Sequence, residues 1–227
     1  MNTDKTKERP ILFSGPMVRA ILNGTKTQTR RVMNVQPRAP GYQLFTVVNS
    51  SDKSKVGKKH WGLLNASGCG FKASDNRYFV CPYGKTGDQL WVRETWAICP
   101  HCGTVNWKQE ENSRKLCGCR ECMGEIGKWK PSIHMFRDYS RILLEITSVR
   151  VERVQDITEE DAKAEGIKHG MDAVYASALL EDKPLCPARR EFMLLWDTLN
   201  AKRGFGWDEN PWVWVLTFKT ITPTSTL

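Results

Sequence analysis

Gly24-Thr25-Lys26-Thr27-Gln28-Thr29-Arg30-Arg31 sets a lysine, two arginines and four hydroxyl or amide side chains directly behind a short predicted helix. A basic run of this kind reads most simply as a solvated turn. Its neighbours change that reading. Ile11-Leu12-Phe13 reads as a short strand and Pro16 suits a first helical turn. Met17, Ala20 and Ile21 share one helical face, and Gly24 stands where a C-terminal cap belongs. The stretch from Lys26 to Val32 is β-compatible. If it is extended throughout, Lys26 and Thr29 point to opposite faces; if its first residues still turn, they converge. Both readings stay open at this level.

The rest of the chain limits what such a stretch can serve. With 227 residues the protein can bury a substantial core, and its 40% hydrophobic content and nine tryptophans exclude a disordered chain. No apolar run approaches the roughly 20 residues needed to span a bilayer. Met1 to Pro10 has no apolar secretory core, so a cytoplasmic location is expected. The net charge of +9 favours a polyanionic partner, nucleic acid rather than membrane.

Tyr42 to Val48, Tyr78 to Cys81 and Gln89 to Ile98 read as strands. In the last of these, alternation places Trp91, Arg93 and Thr95 on one face and Val92, Glu94 and Trp96 on the other. Arg93 and Glu94 either line a site or form plain salt bridges. Residues 99–122 carry two knuckles, Cys99-Pro100-His101-Cys102 and Cys119-Arg120-Glu121-Cys122. Paired Cys-x-x-Cys turns at this separation bring four thiolates onto one tetrahedral ion, so a structural Zn2+ held by Cys99, Cys102, Cys119 and Cys122 is expected, with Cys117 as a substitute ligand. Four thiolates leave no open position for a catalytic water. Cys69, Cys81 and Cys186 read as isolated thiols.

Lys128 to Arg137 interleaves basic and aromatic residues, as surfaces that stack bases do, or as a loop whose Trp129 and Phe136 turn inward. Arg141 to Val154 is the longest strand signal, with a shift of apolar phase near Ser148 that implies a bulge. Thr158 opens a helix with acids in its first turn, and Gly166 ends it. Glu165 then sits in the last turn, where the helix dipole disfavours a carboxylate that lacks a cationic partner. Arg189 to about Ala201 is an amphipathic helix, and Trp212 to Phe218 is apolar on both faces, as a central strand would be. No P-loop, dinucleotide fingerprint or nucleophile elbow is found.

The order of these pieces resembles the ASCH domain of the PUA-like superfamily. The matching segments are Ile21 to Thr29, Thr86-Gly87-Asp88-Gln89-Leu90-Trp91-Val92, Thr158 to Glu165 and Trp212 to Phe218. The resemblance extends to larger phage and prophage proteins of this kind, which share the Trp-Val-Arg-Glu-Thr-Trp stretch and the cysteine knuckles. It implies an α+β fold, a PUA-like small β-barrel with flanking helices and an inserted zinc-binding module of four cysteines. The barrel would fall in residues 9–98 and 125–222, the module in 99–124, and a helical insertion would lie in the C-terminal part. The chain is also similar to small bacterial amidohydrolases that deacetylate N(4)-acetylcytidine with a lysine, a threonine and a glutamate. Lys26, Thr29 and Glu165 stand at those positions, with Arg30 as a substrate anchor and Trp91, Arg93 and Glu94 as further binding residues. Arg31 reads as a solvated charge. The alternative implied by the wider superfamily is a module of phage origin that binds RNA or DNA, RNA ahead of DNA, without chemistry.

Overall fold

The computed structural model describes residues 6–64, 71–74, 77–108, 127–167 and 187–221. The described chain is a mixed α+β structure built on one five-stranded sheet. In chain order its elements are β1 (Glu8–Leu12), α1 (Gly15–Leu22), β2 (Gln28–Val32), β3 (Gln43–Thr46), β4 (Lys59–Leu64), β5 (Phe71–Ser74), β6 (Gln89–Arg93), β7 (Trp96–Ile98), β8 (Val105–Trp107), β9 (Leu143–Arg153), α2 (Glu159–Ala164), α3 (Pro187–Asn200) and β10 (Trp212–Ile221). The sheet runs β1-β6-β9-β10-β2, with β1 parallel to β6 and every other pair antiparallel. A second sheet, β3-β4-β5, and the hairpin β7-β8 stand apart from it.

The apolar run of β10 explains its place between β9 and β2. Val213 and Val215 pack on one side with Phe192, Trp196 and Trp207; Leu216 and Phe218 pack on the other with Ile11, Phe13, Val18 and Ile21. A strand buried on both faces must be internal. The expected bulge in β9 is present: the register against β10 skips at Thr147, between the pairs Thr217↔Ser148 and Phe218↔Ile146. The extra residue shifts the phase of β9, so that Val149 packs on the same cluster as Leu144 and Ile146, and Val149 and Val151 also pack against Met33, Trp61 and Trp214.

Among the described residues the sheet is open. β1 and β2 are its edges, and no ladder joins them. α1 lies between these strands in sequence and buries Val18, Ala20 and Ile21. The edges meet through a side chain instead, since the Arg31 guanidinium donates to the Leu12 carbonyl.

The single strand expected over Gln89 to Ile98 breaks after Arg93. Glu94 is fully buried, its carboxylate held by Arg141 Nε and Nη2 at 3.1 and 3.0 Å, and its backbone N–H meets Met135 Sδ. Those ties turn the chain out of the sheet, and β7 pairs with β8. Tyr78 to Cys81 forms one bridge, Phe79 to Lys59, rather than a strand. The Thr86-Gly87-Asp88 turn has a structural role: buried Asp88 accepts from the backbone of Lys7 and Lys85 and from Arg9 Nη1, clamping the start of β1 to β6.

Candidate functional site

α1 ends as expected at Gly24, whose φ of +72° is the left-handed conformation that glycine adopts at no steric cost. The backbone N–H groups of Thr25 and Lys26 both return to the Ala20 carbonyl, so the chain still turns at Lys26 and becomes a strand only at Gln28. Thr158 caps α2 by accepting from Asp161 N–H, and Gly166, at φ +84°, ends the helix. Glu165 and Lys26 then face each other across an isolated antiparallel bridge. Gly166 makes this approach possible, because a Cβ there would lie 2.8 Å from Ala20 Cβ and 3.0 Å from Lys26 Cβ.

The cationic partner that Glu165 needed is Lys26. Its Nζ donates to Glu165 Oε2 at 2.7 Å, to the Glu165 carbonyl at 2.8 Å and to the Gln28 carbonyl at 2.8 Å. The lysine side chain is fully buried and the glutamate side chain 4% exposed. Burial pulls the Lys26 ammonium below its ordinary value; Glu165 opposes that shift, and Arg31 and Arg30 add to it.

A network of charges surrounds the pair. Arg30 Nη2 donates to Asp161 Oδ2 at 2.6 Å and to Glu152 Oε2 at 3.2 Å, and Arg30 Nη1 lies 3.4 Å from Glu165 Oε1. Arg150 joins Asp161 at 2.8 Å and also pairs with Glu152. Asp161 feels burial, which raises its pKa, but Arg30, Gln28 and Arg150 outweigh that and hold it below the usual carboxylate range. Lys26, Arg30 and Arg150 thus balance Glu152, Asp161 and Glu165. Sequence reading cast Arg30 as a substrate anchor; its terminal nitrogens donate to carboxylates, and the residue also lines the cavity beside Thr29.

Thr29, Arg30 and Arg31 of β2 all line a cavity of about 300 Å³, together with Glu165, Met17, Tyr83 and Phe192. Lys26 does not line it but holds Glu165 from behind. Thr29 is 3% exposed, and its hydroxyl has no hydrogen-bond partner among the described residues. Arg31 is not the solvated charge that sequence suggested. Its ring contact is Phe13, 5.1 Å from the guanidinium carbon, its Nε is buried without a partner, and no carboxylate pairs with it among the described residues. Burial pulls its pKa down, opposed by Tyr83 and Glu165. An arginine remains protonated across the physiological range, so this describes a half-buried cation short of an anion among the described residues. Sequence reasoning passed over Arg31, yet its parity with Thr29 along the strand was the available signal.

Trp91, Arg93 and Glu94 do not reach this cavity. β6 is three strand spacings from β2 in the sheet order, ~14 Å, and Arg93 stacks on Trp91 at 4.7 Å. Of the expected zinc ligands, Cys99 is buried and Cys102 exposed, at the tip of the β7-β8 hairpin. Gly103 N–H returns to the Cys99 carbonyl and Cys99 N–H to the Thr104 carbonyl, a tight turn of the kind that carries two thiolates. Cys119, Cys122 and the substitute Cys117 lie outside the described residues, as do Cys69 and Cys186. No described helix is long and apolar enough to cross a membrane. In comparisons with known proteins, no family model, no curated protein and no solved structure matches this chain.

Proposed function

We propose that the chain is an ASCH-type amidohydrolase that removes an acyl group from a modified pyrimidine nucleoside or nucleic acid, N(4)-acetylcytidine being the reference substrate. One observation carries this reading: the unpartnered Thr29 hydroxyl shares a cavity with the Glu165 carboxylate, which buried Lys26 holds at 2.7 Å. A threonine hydroxyl needs a base to become a nucleophile. Thr29 Oγ1 attacks the acyl carbon and passes its proton to the Lys26–Glu165 pair. The oxyanion that develops faces the unneutralised Arg31 guanidinium, as electrostatic stabilisation requires. The C–N bond then breaks, and the pair returns the proton to the departing 4-amino nitrogen. Water hydrolyses the Thr29 ester, releasing the acid and restoring the hydroxyl. Lys26 already donates to three acceptors, which favours Glu165 as the group that first takes the proton and Lys26 as the charge that orients it. The open sheet, in this reading, is the described part of a PUA-like barrel. Cytidine release from N(4)-acetylcytidine by purified protein tests the proposal; no release, or release unchanged in Thr29→Ala and Lys26→Ala, sinks it.

A second reading, a nucleic-acid-binding module without chemistry, draws on a separate cleft of about 660 Å³. Lys7, Arg9, Lys58, Lys59 and Lys85 line it, and Asp88 is the acid among its described lining residues. It predicts RNA or DNA binding that weakens steeply with salt as phosphate counterions are released. Salt-insensitive binding counts against it.

For the cysteine knuckles we propose one structural Zn2+ per chain, held by Cys99 and Cys102 with Cys119 and Cys122. Elemental analysis and a Cys119→Ser variant test this, with loss of the metal expected in the variant.

A further inference from the structure

Where β6 gives way to β7, Arg93, Trp96, Lys130, Ile133, His134, Met135 and Phe136 line a cavity of about 360 Å³. Two of its lining residues carry buried donors without a partner among the described residues, the Trp96 indole N–H and Arg93 Nε. Trp96 is 1% exposed. Buried donors in native structures are nearly always satisfied, so two around one cavity call for an acceptor. The cavity's charge has the same sense. Lys130 sits over the Trp96 ring at 4.7 Å, Arg93 lies alongside, and among the described residues no carboxylate lines the cavity. The neighbouring Glu94 is already clasped by Arg141. Phe136 is 65% exposed and meets Trp96 edge-on, with ring centroids 6.4 Å apart.

We propose that this cavity is a second ligand site, separate from the Thr29 cavity, that binds a phosphate ester carrying a base. The phosphate oxygens accept from Trp96 Nε1, Arg93 Nε and Lys130 Nζ, and the base stacks on Phe136. Donors from two successive strands and a loop suit a tetrahedral phosphate, whose oxygens diverge, better than a planar carboxylate. An exposed aromatic ring beside cations is the arrangement that holds nucleotides by stacking. Both donors are covered in the free chain, so side chains around them shift as the ligand enters.

The site does not depend on the amidohydrolase reading, and its test needs no turnover. The full chain is titrated with inorganic phosphate, cytidine 5′-monophosphate, a short single-stranded oligocytidylate and a glutamate-rich peptide. The Trp96 indole N–H resonance, assigned by its loss in Trp96→Phe, is followed by NMR. It is expected to move downfield with the nucleotide or the oligonucleotide. Equal binding of both assigns a free nucleotide, and a clear preference for the oligonucleotide assigns a strand. Phe136→Ala, whose side chain is exposed and whose fold should persist, is expected to weaken binding about tenfold or more. Arg93→Met should do the same. An unmoved resonance, binding unaffected by Phe136→Ala, or a response to the peptide alone overturns the proposal.

Discussion

Replacing Lys26 with methionine removes the ammonium and keeps most of the side chain's volume. Three acceptors lose their donor: the Gln28 carbonyl, the Glu165 carbonyl and Glu165 Oε2. Breaking a buried ion pair from one side typically costs about 3–5 kcal/mol, because the remaining charge is stranded. Arg30 Nη1, 3.4 Å from Glu165 Oε1, keeps part of that charge covered and places the expected loss near the lower end, about 3 kcal/mol. Urea denaturation reads it as a midpoint shift of ~1 M or more. Adding Glu165→Gln removes the stranded charge, so the double variant should be more stable than the sum of the singles by ~2 kcal/mol. The pair also leaves a pH signature. Burial lowers Lys26 below its ordinary 10.5, so between the native value and 10.5 the unfolded chain binds the extra proton. Stability contributed by this group therefore rises with pH across that window and is lost below it, a difference that Lys26→Met abolishes. A loss under ~1 kcal/mol, or additive single variants, would refute the buried-pair argument.

Thr29→Ala should abolish acyl transfer while changing stability by less than ~1 kcal/mol, since the hydroxyl has no partner to lose; circular dichroism melting alongside the turnover assay separates the two. Gly166→Ala should cost ~2 kcal/mol or more in denaturant midpoint, combining a φ of +84° with a Cβ 2.8 Å from Ala20, and should loosen the Lys26–Glu165 bridge. Burial raises the Asp88 carboxyl, but hydrogen bonds from Lys7, Lys85 and Arg9 outweigh it and hold the group below the usual carboxylate range. Its stabilisation is fully present above pH 3.8 and is lost as pH falls through the native value, so Asp88→Asn should flatten the acid limb of the stability curve.

The parts of the fold written in local chemistry were legible in the sequence. Pro16 and Gly24 bound α1, Thr158 and Gly166 bound α2, and the phase shift in β9 marks a real bulge. The two-faced apolar run of β10 marks an internal strand. Glu165 at a helix end was an anomaly that sequence could notice but not resolve, because its partner lies 139 residues away. The break after Arg93 was hidden for the same reason: it rests on Glu94 and Arg141, 47 residues apart. Arg30 and Arg31 both line the cavity, and charge alone cannot say which of two adjacent arginines is also tied to the Asp161 carboxylate; the position of Asp161 decides that it is Arg30.

Turnover of N(4)-acetylcytidine by the wild-type chain, measured beside Thr29→Ala, Glu165→Gln and Lys26→Met at a temperature where all four remain folded, tests the central claim most directly. Cytidine and acetate should appear in equal amounts with the wild type and fall to background in each variant. Cytidine formed at the wild-type rate by Thr29→Ala, or no cytidine from a folded wild-type chain, would contradict the account.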